Sequence, residues 1–104
     1  MSNPPSERAV LLVTRDLFFR AKLEALVELC GYAAVRSGPA RHAVLELGPG
    51  ALEQVRELVA AGTRVVAFGS HVGAEELREA RQAGAEAVPN SRVEAAVRAM
   101  LEAR

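Results

Sequence analysis

The sequence predicts a three-layer α/β sandwich built on a five-stranded, mainly parallel sheet. Three observations carry this reading. Short apolar runs alternate along the chain with stretches of helical period. Glycine follows each of the first three helical stretches, where a helix C-terminus favours it. The runs at 9–13, "AVLLV", and 44–47, "VLEL", are almost wholly apolar, as strands buried on both faces must be.

The elements follow in order. Residues 9–13 make the first strand. Asp16 then stands where a helix N-cap belongs, ahead of "LFFRAKLEALVELCG". Phe19, Leu23, Leu26 and Cys30 recur at helical spacing, and Phe18, Ala25 and Leu29 widen that stripe. Gly31 ends the helix. "YAAV" at 32–35 is a second strand and Val44–Leu47 a third. "ALEQVRELVAAG" puts Leu52, Val55 and Val59 on one helical face. "RVVAF" at 64–68 is a fourth strand. "GAEELREARQAG" is a charged helix with Leu77 and Ala80 inward, "AEAV" at 85–88 a fifth strand, and "RVEAAVRAMLEAR" a closing helix with Val93, Val97 and Leu101 on one stripe.

One helix is missing from the alternation. Only "RSGPARHA" separates Val35 from Val44. A parallel crossover normally takes a dozen residues or more. Eight extended residues nevertheless reach roughly 27 Å, against roughly 18 Å to return along a short strand and step over a neighbour. An extended loop in a parallel sheet of order 2-1-3-4-5 is therefore expected, with a β2–β3 hairpin as the rival.

Composition bounds the function. At 104 residues, half of them hydrophobic, the chain is long enough for one core and too apolar for disorder. The expected division is a lead-in at 1–8, "MSNPPSER", and a single domain at 9–104. Thirteen basic and thirteen acidic side chains balance, which argues against a nucleic-acid partner. The longest apolar runs fall well short of the ~18 residues of a membrane span. A lone Cys30 cannot form an intrachain disulfide and fits a cytoplasmic protein. Asp16 is the only aspartate and Lys22 the only lysine, so any mechanism that needs two aspartates is excluded.

Two segments, "VLLVTRDLFFRAKLEALVELCGY" and "VVAFGSHVGAEELREARQAGAEAV", give the layout a family likeness. It resembles the response-regulator receiver domain of two-component systems, a CheY-like member of the flavodoxin-like folds. The second segment follows the receiver rhythm of strand, small polar residue, helix, Ala-Gly-Ala and strand. "SRVEAAVRAMLEA" is similar to the receiver's last helix. The resemblance spans about residues 9–103.

The receiver's working residues have mostly departed. Its acidic pair after the first strand, which holds Mg²⁺, aligns with Thr14, Arg15 and Asp16. Its phosphoacceptor aspartate aligns with Glu46, and its switch hydroxyl with Gly69, followed by Ser70. The phosphoryl-binding lysine falls near Asn90 and Ser91, and the proline after it near Arg92. Phosphoryl transfer needs an acceptor, a metal and a cation in position. The resemblance thus implies a degenerate, or pseudo-, receiver with no cofactor, no metal and no enzymatic activity. Its expected role is a signalling module that works through protein contacts without phosphorylation. Glu46 then has two readings. It is a frozen mimic of an aspartyl phosphate, or a strand end that points to solvent or to Arg15.

Other candidates weigh less. Ser70 and His71 are adjacent in the chain and rarely face each other, so Ser70 is expected to cap the following helix and His71 to be a solvent-facing loop residue. Two histidines, one cysteine and one aspartate at wide spacing make a poor metal site. "FGSHVG" with Arg15 offers amide N–H groups to an anion, which makes a small-molecule or anion sensor the alternative function. Without its second helix, the sheet is expected to expose a strip near Leu12 and Ala34, and a homodimer is expected to cover it. Receivers also often pair through their fourth helix, fifth strand and fifth helix, which here carry Arg78, Arg81, Glu94 and Arg98; this is the second choice of interface.

Overall fold

A computed structural model describes residues 8–103. The expected lead-in lies outside these residues except for Arg8. That guanidinium donates to the Gly31 carbonyl at 3.2 Å and lies 5.7 Å from the centroid of the Tyr32 ring.

The strands are β1 (Ala9–Val13), β2 (Ala33–Val35), β3 (His42–Glu46), β4 (Arg64–Gly69) and β5 (Glu86–Pro89). The helices are α1 (Leu17–Leu29), α2 (Ala51–Ala60), α3 (Ala74–Gln82) and α4 (Val93–Glu102). Tight 3₁₀ turns at His71–Gly73 and Asn90–Arg92 lead into α3 and α4. The sheet order is β2-β1-β3-β4-β5, and every neighbouring pair is parallel. The hairpin is therefore excluded. Residues 36–41 cross over β1 as a helix-free loop, and β3 starts at His42 rather than Val44. The loop is pinned from below: Thr63 Oγ1 donates to the Ala40 carbonyl at 2.9 Å, and the Arg64 amide to the Arg41 carbonyl at 2.9 Å.

Alternation along the strands splits the core in two. Val10, Leu12, Val44, Val66 and Phe68 face α1 and α4, while Leu11, Ala43, Leu45, Val65 and Ala67 face α2 and α3. Phe68 anchors the first half, with Phe19 of α1 at 5.3 Å between ring centroids. This parity corrects the expected interface. Leu12 is 1% exposed and sits in the α1/α4 half with Ala34 packed beside it. The missing helix belongs to the opposite face, over Leu11, Val13 and Val35. That strip is not bare either. Ala40 of the crossover loop joins the cluster there, Leu11 is only 6% exposed, and Val13 and Val35 are half-buried. The loop does more covering than its polar composition suggested.

Helix α1 also departs from expectation. Asp16 caps it as expected, its Oδ1 accepting from the Phe18 and Phe19 amides at 2.9 and 3.1 Å. Leu23, Leu26 and Val27 point inward. Phe18, Ala25 and Leu29 do not widen that buried stripe; they are exposed on the far side. Helical period alone places them about a quarter turn or more from the stripe and does not say where the sheet ends.

The other end of the sheet holds one polar anomaly. His42 opens β3 with its ring edge-on to Tyr32, 5.4 Å between centroids, and its Nδ1 is buried without a hydrogen-bond partner. Burial, then the charges of Arg64 and Arg41, hold its pKa below the usual 6.5.

Two stability measurements follow from these contacts. The folded state resists a proton that the unfolded chain accepts near pH 6.5, so His42 leaves stability unchanged above that pH and erodes it progressively below. Urea midpoints of the wild type should fall faster than those of His42→Leu between about pH 7 and pH 5; parallel curves would remove His42 from this role. At Gly84, with φ of +109°, an added Cβ would lie 2.9 Å from Val59 Cγ1 between α3 and α2; at Gly38, with φ of +98°, nothing lies within 4 Å. Both alanine substitutions carry a left-handed cost of about 1–2 kcal/mol, and Gly84→Ala should lose at least about 1 kcal/mol more by overpacking, read from chemical denaturation.

Candidate functional site

The carboxyl ends of β1 and β3 carry the residues that the sequence singled out. In the parallel register Val13 pairs with Leu45, so the residues that follow each strand meet. Thr14, 8% exposed, is the one buried polar residue among those described. Its hydroxyl donates to Glu46 Oε1 at 2.7 Å, and the Arg15 amide donates to the same oxygen at 3.0 Å. The Asp16 amide in turn donates to Thr14 Oγ1 at 3.1 Å. Arg20, one turn into α1, donates from Nη2 to the Thr14 carbonyl at 3.0 Å.

Glu46 is thus a latch between two strand ends. Its carboxylate meets a hydroxyl and a main-chain amide, not the Arg15 guanidinium; no ion pair joins the two side chains among the described residues. A short O–H···O⁻ bond to a charged acceptor is among the stronger hydrogen bonds. Asp16 spends its carboxylate on the α1 amides. Among the described residues no three His, Cys, Asp or Glu side chains gather in a way that would hold a metal ion.

The remaining positions do not join this cluster. Leu47 lies against Gly69, its Cβ 3.4 Å from where a Gly69 Cβ would stand, and its amide donates to the Phe68 carbonyl at 2.7 Å. Ser70 is exposed and caps its own turn, Oγ accepting from the Val72 amide at 3.2 Å. Ser91 is exposed in the turn before α4. The His71 side chain lies outside the described part of the structure. A cleft of about 220 Å³ opens beside the latch, lined by Thr14, Arg15, Glu46, Gln54 and the Gly48–Gly50 turn. Neither Ser70 nor Ser91 reaches it.

Sequence reasoning missed the partners that build the latch. Thr14 was legible only as a departed acidic position, and Arg20 as an ordinary helix residue. Nothing local signals the Thr14–Glu46 bond, because it depends on the register that sets β1 beside β3; the Arg20 contact to the Thr14 carbonyl spans only six residues and carries no sequence signature of its own. The charged residues expected at a second interface are also engaged within the chain. Arg81 donates from Nε and Nη2 to the Ala87 carbonyl at 3.1 and 2.8 Å, tying α3 to β5. Arg78 pairs with Glu75, Arg98 with Glu102 at 3.7 Å, and Glu94 with Lys22 at 2.7 Å.

A double-mutant cycle tests the latch. Thr14→Val removes the donor, and Glu46→Ala the acceptor. Each should cost about 1.5–3 kcal/mol, and the pair should be less than additive by about 1 kcal/mol or more. Glu46→Gln keeps an acceptor oxygen and should cost clearly less than Glu46→Ala. Full additivity would mean the two side chains do not interact.

No protein-family model and no curated protein matches the sequence. Among solved structures the chain is similar to HP1043, described as an orphan response regulator of H. pylori, at 18% identity. The TM-score is 0.74, and the match covers 95% of this chain and 97% of that one. With the parallel order β2-β1-β3-β4-β5 and helices on both faces, the likeness establishes a receiver-like, CheY-like fold.

Proposed function

We propose that the protein is a non-enzymatic signalling module that acts through protein contacts and does not depend on phosphorylation. The observation that carries this is the latch. At the position where a receiver accepts phosphate, Glu46 already takes a hydroxyl and an amide on one oxygen, and the chain's single aspartate is committed to capping α1. Gly69, at the position of the receiver's switch hydroxyl, carries no side chain and packs against Leu47. The groups that would read a phosphoryl group are spent or absent from the cleft, so the mimic reading of Glu46 gives way to that of a structural tie. The fold it shares with an orphan response regulator supports a regulatory role, and the balanced charge supports a protein partner over a nucleic acid. No helix among the described residues is long and apolar enough to cross a membrane, which suits a cytoplasmic module.

The second reading, a small-molecule sensor, draws on the cleft beside Arg15. Its wall includes the Glu46 carboxylate, which repels an anion, and it excludes Ser70. An anion therefore fits poorly, and a neutral polar ligand is the remaining form of that reading.

Incubation with acetyl phosphate and Mg²⁺, followed by intact-mass spectrometry, tests the proposal. The expected result is an unchanged mass. A phosphoryl group gained on the β3 end would overturn it.

A further inference from the structure

Helix α1 is apolar on two opposite sides. Leu23, Leu26 and Val27 are buried against the sheet and α4. On the far side Leu17, Ala21, Ala25 and Leu29 follow one another at four-residue spacing, and all four are exposed. Leu17 is 80%, Leu29 81% and the neighbouring Phe18 69% exposed. Three of the four large hydrophobic side chains left in water among the described residues lie on this one helix. Charged residues (Arg20, Lys22, Glu24 and Glu28) lie between the two apolar sides, so the outer row is a second, separate apolar stripe.

Three features identify the cover. The row reads Leu-Ala-Ala-Leu, which is the same in both directions about Leu23. An isologous contact pairs residue i with j and j with i. An antiparallel second copy would set Leu17 on Leu29, Ala21 on Ala25, Ala25 on Ala21 and Leu29 on Leu17. The two central alanines let helix axes approach to the short end of the usual 8–10 Å range. Next, two of the three charges beside the row are paired within the chain: Lys22 binds Glu94 at 2.7 Å and lies 5.0 Å from the Phe18 ring centroid, and Glu24 lies 3.7 Å from Arg20, while the exposed Glu28 joins no ion pair among the described residues. A polybasic flank, which an anionic membrane would select, is missing. Finally, the area is of the order that a small dimer needs. At about 200 Å² per fully exposed large side chain, Leu17, Phe18 and Leu29 leave roughly 450 Å² in water per copy. Two copies bring roughly 900 Å² together before the alanines and the aliphatic stems of Lys22 and Glu28 are added, against about 1,000 Å² for a specific interface.

We infer that the outer face of α1 is a self-association surface, and that its occupant is the α1 of a second copy, antiparallel about a two-fold axis near Leu23. The inference deepens the protein-contact reading and rests on it. It replaces both interfaces expected from the sequence, since Leu12 and Ala34 face the covered half of the core and the charged residues are paired within the chain.

Sedimentation equilibrium of the full chain, from about one to a hundred micromolar, tests the state. A dimer is expected. Ala25→Glu and Leu29→Glu, both at exposed positions, should each weaken it at least tenfold, about 1.4 kcal/mol, with an unchanged urea midpoint for the monomer. Geometry is tested by disulfide trapping in a Cys30→Ala background. Leu17→Cys mixed with Leu29→Cys should cross-link. Leu17→Cys alone should not, because the two copies of residue 17 are then separated by twelve residues of helix, about 18 Å. A wild-type monomer throughout the range, a dimer indifferent to both glutamates, or cross-linking of Leu17→Cys alone would each overturn the inference. A monomer that binds vesicles of neutral lipid would assign the face to a membrane instead. Inertness toward acetyl phosphate is read separately, so a monomer that takes up no phosphoryl group defeats this inference and leaves the phosphorylation-independent reading standing.

Discussion

Three adjacent strands with apolar side chains on both faces govern the architecture. β1, β3 and β4 carry Val10, Leu11, Leu12, Val44, Leu45, Val66, Ala67 and Phe68, none more than 6% exposed. Such strands must be roofed twice, and parallel pairing leaves the roofing to the connections. α1 and α4 cover one side. α2 and α3 cover most of the other, and the crossover loop closes part of what remains through Ala40. The shortened connection is tolerated because β2, the strand it leaves, has only three residues and sits at the edge.

The same pairing creates the site. Once β1 and β3 are neighbours, Thr14 and Glu46 emerge side by side at the carboxyl end, the place where open α/β sheets present their ligand crevices. A carboxylate there either binds something from solution or binds the protein itself. Here it does the second, through a hydroxyl and an amide that would otherwise need water. In this receiver-like fold the Glu46 carboxylate is turned toward the protein and joins two strands. Beyond the cleft beside Glu46, the helix that follows β1 carries the largest share of exposed hydrophobic side chain among the described residues.

Most of the architecture was legible in the chain. The apolar runs located every strand within two or so residues. Asp16 and Gly31 marked the ends of α1, and chain reach allowed a parallel crossover without a helix. Strand ends were less legible, because His42 and Gly69 join the ladder through main-chain pairing that side-chain character does not signal.

The sequence by itself determined the layered α/β fold, the presence of a single aspartate and a single lysine, and a net charge of zero. Those depend on which residues are present and at what period. Tertiary structure decided what period cannot reach. The parallel register put Thr14, not the Arg15 guanidinium, against Glu46. Strand parity sent Leu12 and Ala34 into the covered half of the core, opposite the missing helix. The seating of α1 on the sheet through Leu23, Leu26 and Val27 left Phe18, Ala25 and Leu29 outside. A helical stripe states which residues share a side; only the packed neighbour decides how much of that side is buried.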